Sequence, residues 1–262
     1  VTANTIYAVR NHVPEAHIVK LGTMGEYGTP EIDIEEGWID IAHKGRSDRF
    51  LFPRQAGSLY HTTKIMDTDL LWFYVRMWDL RVTDLMQGPV YGMSTDENTG
   101  NDERLMPFFC YDEIFGTALN RFVVQAVAQY PLTVYGEGGQ TRGYLNLKDT
   151  LNCVRLSVEN PPPSGELRIF NQFTETFSVN DLASRVKKVG DTMGLEVQIE
   201  KIRNPRKEKE DHYYNPAHTG LLELGLEPHY LTDDVLGEML EIVMRHRDHI
   251  HKHKIFRGVK WA

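Results

Sequence analysis

The sequence predicts an α/β fold with a largely parallel sheet. Short apolar runs alternate with stretches of helical periodicity along most of the 262 residues, and no internal repeat or low-complexity tract interrupts them. The run Ala16–Leu21 ends abruptly at Gly22 and reads as a buried strand. Its C-terminal end carries Thr23, and ligands of open parallel sheets bind at such ends.

The elements follow in order. VTANTIYAVRNHV sets Thr2 and Asn4 ahead of Ile6, Val9 and Val13 at helical spacing, so the chain opens inside a helix. Val1 is not a methionine, and the reading expects the chain to be part of a longer protein. After the first strand, residues 28–53 read as a long loop rich in Pro, Gly and acids, with a small hairpin where WIDIAH (38–43) alternates. Residues 59–74 read as a helix, 79–84 as a strand and 85–92 as a loop. The polar excursion 94–104 reads as a lid. Helix 115–129, strand 132–136, a turn at Glu137-Gly138-Gly139, strand 141–149 and helix 150–159 come next. Pro161-Pro162-Pro163 then breaks the chain. A strand at 165–173, a helix at 178–194, a strand at 195–202, a charged loop at 203–211 and a helix at about 232–253 complete it.

Composition narrows the functional classes. A net charge of −8 gives no face for nucleic acid or an anionic membrane. No apolar run reaches the roughly 20 residues that span a bilayer. Cys110 and Cys153, two and far apart, fit a reducing compartment better than a disulfide framework. His246, His249, His251 and His253 crowd the last helix, where His249 and His253 would share a face. Arg245, Arg247, Asp248, Lys252 and Lys254 among them describe a solvated surface rather than a metal site.

Chemistry concentrates in Tyr60-His61-Thr62-Thr63-Lys64. On a helix, Tyr60 and Lys64 are i and i+4 and project from one face. A free phenol titrates near about 10, and an ammonium a few ångströms away favours its phenolate, making tyrosine usable as a general acid/base. Gly22-Thr23-Met24-Gly25-Glu26-Tyr27-Gly28 matches G-x-x-G-x-x-G after a strand. A dinucleotide phosphate loop must run directly into a helix, however, and the acidic, Pro-containing stretch 29–37 does not read as one. The glycines instead bend the backbone and present Thr23.

The order of these motifs carries a resemblance: strand-GT-x-G-x-YG; Tyr60-x-x-x-Lys64; Leu80-Arg81 with Val90-Tyr91-Gly92; Leu132-Thr133-Val134-Tyr135-Gly136; Gln140-Thr141-Arg142; and Asp149. It resembles the extended short-chain dehydrogenases/reductases that modify nucleotide sugars. Longer blocks point to the branch that sulfonates UDP-glucose with sulfite: LGTMGEYGTPEIDIEEG (21–37), DLMQGPVYG (84–92), FGTALNRF (115–122), YGEGGQTRGYL (135–145), FNQFTE (170–175) and HYYNPAHTGLLELGLEPHYL (212–231).

The resemblance implies a Rossmann-like, doubly wound parallel sheet with a smaller C-terminal lobe for the UDP-sugar. Residues 1–92 would belong to the NAD-binding domain. Residues 93–262 would form mainly the sugar-nucleotide lobe, with about 143–160 returning to the first. The cofactor would be NAD, and its phosphate loop and adenosine-binding acid would lie upstream. By itself the stretch 1–262 would then be short of its cofactor site.

Tyr60 would take the proton of the glucose C4 hydroxyl, Lys64 would tune Tyr60 and hold the nicotinamide ribose, and Thr23 would align the C4 oxygen. Related dehydratases place an Asp-Glu pair after the threonine for water loss. Met24-Gly25 stands there in this chain, with Glu26 one step on, so the acid for water loss is open; His61 is a candidate, with packing beside the site as its other role. Gln87 would bind the substrate and, with Val90, border the nicotinamide. Thr117, Ala118, Leu119, Asn120, Leu132, Thr133 and Val134 would hold the diphosphate and uracil. Arg142 and Arg206 would pair with phosphate, where a guanidinium gives bidentate hydrogen bonds.

The implied partners are UDP-glucose, sulfite, free or brought by a donor protein, and a second copy in a homodimer. The implied location is cytoplasmic in a bacterium or the plastid stroma in a photosynthetic eukaryote. A 4-epimerase or 4,6-dehydratase would share the oxidation step, and a non-catalytic nucleotide-sugar-binding protein is the reading from another class.

Overall fold

A computed structural model describes residues 1–98, 103–112, 115–204 and 212–255, with the side chain of Glu103 left aside. Arg206 therefore lies outside the described residues, as do 99–102 within the expected lid. In chain order the elements are α1 (Thr2–His12), β1 (His17–Thr23), β2 (Trp38–His43), β3 (Arg46–Leu51), α2 (Leu59–Trp78), β4 (Arg81–Gln87), β5 (Val90–Tyr91), α3 (Ala118–Val127), β6 (Leu132–Tyr135), β7 (Thr141–Asn146), α4 (Leu147–Glu159), β8 (Leu167–Gln172), β9 (Glu175–Ser178), α5 (Val179–Thr192), β10 (Ile199–Ile202), α6 (Gly220–Glu223), α7 (Asp233–Arg245) and α8 (Lys252–Ile255).

They form two compact units. Unit 1 comprises Val1–Gly88, Asp149–Phe173 and Tyr213–Pro228; unit 2 comprises Pro89–Lys148, Thr174–His212 and His229–Ala262.

Unit 1 is built on the parallel sheet β1-β4-β8. Strand alternation covers it on both faces, which makes it doubly wound. Val82, Met86, Leu167 and Ile169 pack with Ile6, Leu71 and Val75 of α1 and α2. Leu85 and Phe170 point the other way, onto Cys153, Leu156, Leu221 and Leu226. Each fully buried aliphatic side chain contributes about 1.5–3 kcal/mol.

Helix α2 starts where Ser58 accepts a hydrogen bond from the His61 amide at 3.2 Å, and it stops where Asp79 turns left-handed at φ 53°. Strand β4 runs three residues beyond the expected Asp84. Its apolar extension Leu85-Met86 is sealed in register against Phe170 and Asn171, so the sheet absorbs what read as loop.

In unit 2, α3, α5 and α7 enclose one apolar core that includes Leu119, Phe122, Val123, Leu182, Val186, Met239 and Leu240. Beside it lie the parallel pair β6-β10 and the sheet β5-β7-β9. Three expectations change here. Strand 141–149 ends at Asn146, because Asn146 Oδ1 accepts from the Lys148 amide at 2.9 Å and the helix starts at Leu147. Glu175–Ser178 pairs antiparallel with Thr141–Tyr144 as a strand the sequence had not suggested. The helix expected over 232–253 ends at Arg245, since 246–254 offers Ile250 alone as an apolar residue. His249 therefore falls in a 3-10 turn and His253 in α8, and they share no helical face.

Candidate functional site

The redox residues expected from sequence all belong to unit 1. Thr23 is the last residue of β1. Its Oγ1 accepts from the Gly25 amide at 3.2 Å, capping a three-residue 3-10 turn, Met24–Glu26. That turn is too short to be the helix of a dinucleotide phosphate loop, as the stretch after it implied. Register places Thr23 beside Gln87, and Gln87 beside Gln172, across the C-terminal ends of three parallel strands. Gln87 Nε2 donates to Gln172 Oε1 at 3.2 Å.

Helix α2 brings its residues to the same end. Lys64 Nζ lies 5.9 Å from the centre of the Tyr60 ring, as i,i+4 spacing requires, and donates to the Leu21 carbonyl at 2.8 Å. Tyr60 is 59% exposed, so its phenol is open to a reactant. His61 Nδ1 is 3.0 Å from Ser58 Oγ. The imidazole packs against Gly25 so closely that a Cβ there would collide with Nε2, Cε1 and Cδ2. Glycine at 25 is thus what lets His61 reach the turn that follows Thr23.

Glu26 does not face outward. It is wholly buried, 3.1 Å from Lys20 Nζ and 3.5 Å from Arg54 Nη1, and burial raises its pKa against the pull of Lys20. Lys20 also reaches Asp84 Oδ2 at 2.9 Å, the Lys64 carbonyl at 3.2 Å and Thr68 Oγ1. Thr68 Oγ1 donates to Asp84 Oδ2 at 2.7 Å. Gly22 leaves room for this cluster, because a Cβ there would strike Asp84 Oδ1.

Sequence reasoning missed this buried ionic group. The available signal was the lysine between Val19 and Leu21 in HIVKLGT, since a charge turned into the covered face of a sheet requires a partner.

A half-buried carboxylate, Glu36, also went unnoticed. Glu36 accepts from the amides of Asn171 at 2.8 Å and Gly220 at 3.0 Å. Burial outweighs those bonds and pushes its pKa up to about 7. Burial drives the Cys153 thiol to about 12 and raises Cys110, with Asp112 adding to the latter, which disfavours the reactive thiolate in both.

The residues expected to hold the nucleotide belong to unit 2, Arg206 among them lying outside the described residues. Thr117 caps α3, accepting from the Asn120 amide at 3.2 Å. Ala118 opens the helix, half-buried. Asn120 Nδ2 donates to the Cys110 carbonyl at 3.1 Å, while its Oδ1 is buried with no hydrogen-bond partner among the described residues. Leu119, Leu132 and Val134 are fully buried and give a ligand no side-chain surface. Thr133 bonds Gln125 through both its amide, at 3.1 Å, and its hydroxyl, at 2.8 Å. These four support the fold, and any ligand contact from them is limited to main chain. Arg142 Nη1 lies 2.8 Å from His212 Nε2 and donates to the Thr141 carbonyl. Val90 is half-buried in β5, paired with Leu145. No cluster of three or more His, Cys, Asp or Glu suited to a metal occurs among the described residues.

The parallel sheet, the threonine at its strand end and the adjacent Tyr-x-x-x-Lys helix define the class. This is the Rossmann-type fold of nucleotide-sugar epimerases and dehydratases. UDP-glucuronic acid 4-epimerase of Bacillus cereus superposes with a TM-score of 0.69 at 18% identity, over 94% of this chain and 66% of that one. UDP-glucose 4-epimerase of Thermotoga maritima gives 0.68 at 18% over 95% and 69%. A dTDP-glucose 4,6-dehydratase of Streptomyces venezuelae gives 0.67 at 16% over 94% and 65%.

Sequence narrows the class. The chain is 52% identical over 260 residues to the chloroplastic UDP-sulfoquinovose synthase of Spinacia oleracea, and 44% identical over 263 residues to a UDP-sulfoquinovose synthase of Sulfolobus acidocaldarius, in both cases over 99% of this chain. It spans 54% and 66% of those relatives' lengths. No family model matches it. The chain belongs to the UDP-sulfoquinovose synthase family.

Proposed function

We propose that this chain carries the catalytic groups of an enzyme that converts UDP-glucose and sulfite to UDP-sulfoquinovose, the head-group donor for sulfolipid. The supporting observation is that Thr23, Tyr60, His61 and Lys64 converge at one strand end in a chain 52% identical to such a synthase. NAD is the cofactor of this reading, and the solved neighbours from B. cereus and S. venezuelae were crystallised with it. Tyr60, exposed beside the Lys64 ammonium, fits the nicotinamide-ribose end of that cofactor, with Gln87 and Val90 along its border. When bound, NAD takes a hydride from the sugar and later gives it back.

The residues divide the remaining work. Tyr60 accepts the C4 hydroxyl proton, with Lys64 favouring the phenolate. Thr23 uses its oxygen as an acceptor for Gly25, which leaves its O–H to donate to the C4 oxygen. The resulting 4-ketone acidifies C5–H. Loss of the C5 proton to water forms the C5–C6 double bond as His61 protonates the C6 hydroxyl, which departs as water. Glu26 is excluded from that role by its burial and ion pairs. Sulfite then adds through sulfur at C6 while water returns a proton to C5, and as C4 is reduced Tyr60 gives its proton back to the C4 oxygen.

In unit 2, Thr117, Ala118, Asn120 and Arg142, with Arg206, hold the UDP moiety. Exposed Met66, Phe73 and Met77 on one side of α2, with Tyr7 of α1, support a homodimer through that surface. Incubating full-length protein with UDP-glucose, NAD and sulfite should give a sulfonated UDP-sugar by mass spectrometry. Formation of UDP-galactose or a 4-keto-6-deoxy sugar in its place would contradict the proposal in favour of the epimerase or dehydratase reading.

A further inference from the structure

We propose that Lys20 is a positioning residue, fixing the spacing between the strand end that carries Thr23 and the helical turn that carries Tyr60 and Lys64. This rests on the reading that those three groups perform the oxidation.

The observation is a reciprocal clasp of two lysines. Lys64, on α2, donates to the carbonyl of Leu21 on β1 at 2.8 Å. Lys20, on β1, donates back to the carbonyl of Lys64 itself at 3.2 Å. Each ammonium thus binds the backbone of the element that carries the other, one residue from Lys20 in the first case and at Lys64 in the second. Lys20 further joins Glu26, in the turn capped by Thr23, and Asp84 of β4, at 3.1 and 2.9 Å. Thr68 closes the group one helical turn beyond Lys64, donating to Asp84 at 2.7 Å and lying 3.3 Å from the Lys64 carbonyl.

Burial makes the clasp decisive. The Lys20 side chain is 9% exposed, and those of Glu26 and Asp84 are fully buried. Lys20 pairs with both buried carboxylates, and Arg54 approaches Glu26 at 3.5 Å and the exposed Asp69 at 3.8 Å. A buried ammonium and carboxylates held this way resist sliding, because any displacement strands a charge in low dielectric. Three parts of the site, namely the Thr23 turn, the strand end and the Lys64 turn, are therefore tied to a single nitrogen. Reaction between a hydroxyl and a tyrosine depends steeply on that spacing, and a shift of about 1 Å costs on the order of a hundredfold.

The test uses full-length protein with Lys20→Met and Lys20→Arg, each also prepared with 3-fluorotyrosine at position 60. Lys20→Met should lower kcat about ten- to a hundredfold while the KM for UDP-glucose and the NAD content stay as in the parent. The 19F resonance of residue 60 should move, and Lys20→Arg should restore part of both effects. An unmoved resonance with unchanged kcat would overturn the proposal. So would kcat, KM and NAD content failing together with the melting temperature, which is what a purely structural residue would give. Should Lys20→Met not accumulate as folded protein, Thr68→Val removes the hydroxyl and leaves every charge in place. It should cost about fivefold in kcat, the worth of one ordinary hydrogen bond, and no change there would equally overturn the assignment. If the parent protein makes no sulfonated sugar, the proposed reaction fails, while the 19F shift still decides the role of Lys20.

Discussion

Units 1 and 2 are both close-packed, yet they bury different things. Behind Thr23, unit 1 encloses Lys20, Glu26 and Asp84 with the Arg54 guanidinium against them. Unit 2 fills its core mainly with apolar side chains, and beside α3 it buries the neutral pair Gln125 and Thr133 together with the charged Arg121, whose guanidinium donates to the Thr133 carbonyl at 3.0 Å. Buried ionic groups are a poor source of net stability, since desolvation offsets most of their attraction. Hydrophobic filling would have served unit 1 at least as well. The ions lie where two backbone segments must be held at a set distance, which is the use that fits them.

The largest expected effect comes from unbalancing the charged cluster. Asp84→Ala leaves Lys20 with one fewer buried carboxylate, and urea unfolding of the full-length protein should show a loss of about 3–5 kcal/mol. In unit 2, Gln125→Ala strands the Thr133 amide and hydroxyl without bringing in charge, and the same measurement should show about 1–3 kcal/mol. Equal losses would erase the contrast between the units.

Gly25→Ala should separate site from scaffold. The new methyl displaces the His61 ring, so product formation should fall about tenfold or more, the lower end of what a general acid contributes, with little change in unfolding midpoint.

The pH dependence of Glu36 is a subtler test. Its folded pKa of about 7 lies above the ordinary value of 4.5, so its contribution to stability is full below about 4.5 and is lost as pH rises through 7. Glu36→Gln should remove that decline, and the difference between parent and variant unfolding curves should grow from pH 4.5 to 7.5. A difference independent of pH would contradict the burial assignment. Arg155→Ala, which breaks an exposed i,i+4 pair with Glu159, should cost under about 0.5 kcal/mol and marks the floor of the series.

Much of this was legible from the residues. The strand leading to Thr23, the helix around Tyr60 and Lys64 and the proline stop at 161–163 all carry strong local signals, but the strand is half-buried rather than buried, with Leu21 46% exposed, because β1 stands at the edge of the sheet β1-β4-β8. The strand 175–178 carried none, because TETFS alternates too briefly to stand out and forms only against Thr141–Tyr144. Past Arg245 the apolar positions thin to Ile250 and Ile255, which still reach the core but lie too far apart to hold one continuous helix, and α7 ends there. At the site, residue type and spacing picked out Thr23, Tyr60, His61 and Lys64, which the fold brings to one strand end. They did not find Lys20, Asp84 and Thr68, which matter only through a meeting of β1, β4 and α2 that no local pattern encodes.

The central claim is that the phenol of Tyr60 moves the proton of the sugar hydroxyl. The direct measurement is the rate of sulfonated UDP-sugar formation by full-length Tyr60→Phe protein, with bound NAD quantified in the same samples. A fall of about a hundred- to ten-thousandfold with NAD retained is the predicted result. Turnover within a few-fold of the parent protein would show that another group moves the proton, and would contradict the claim.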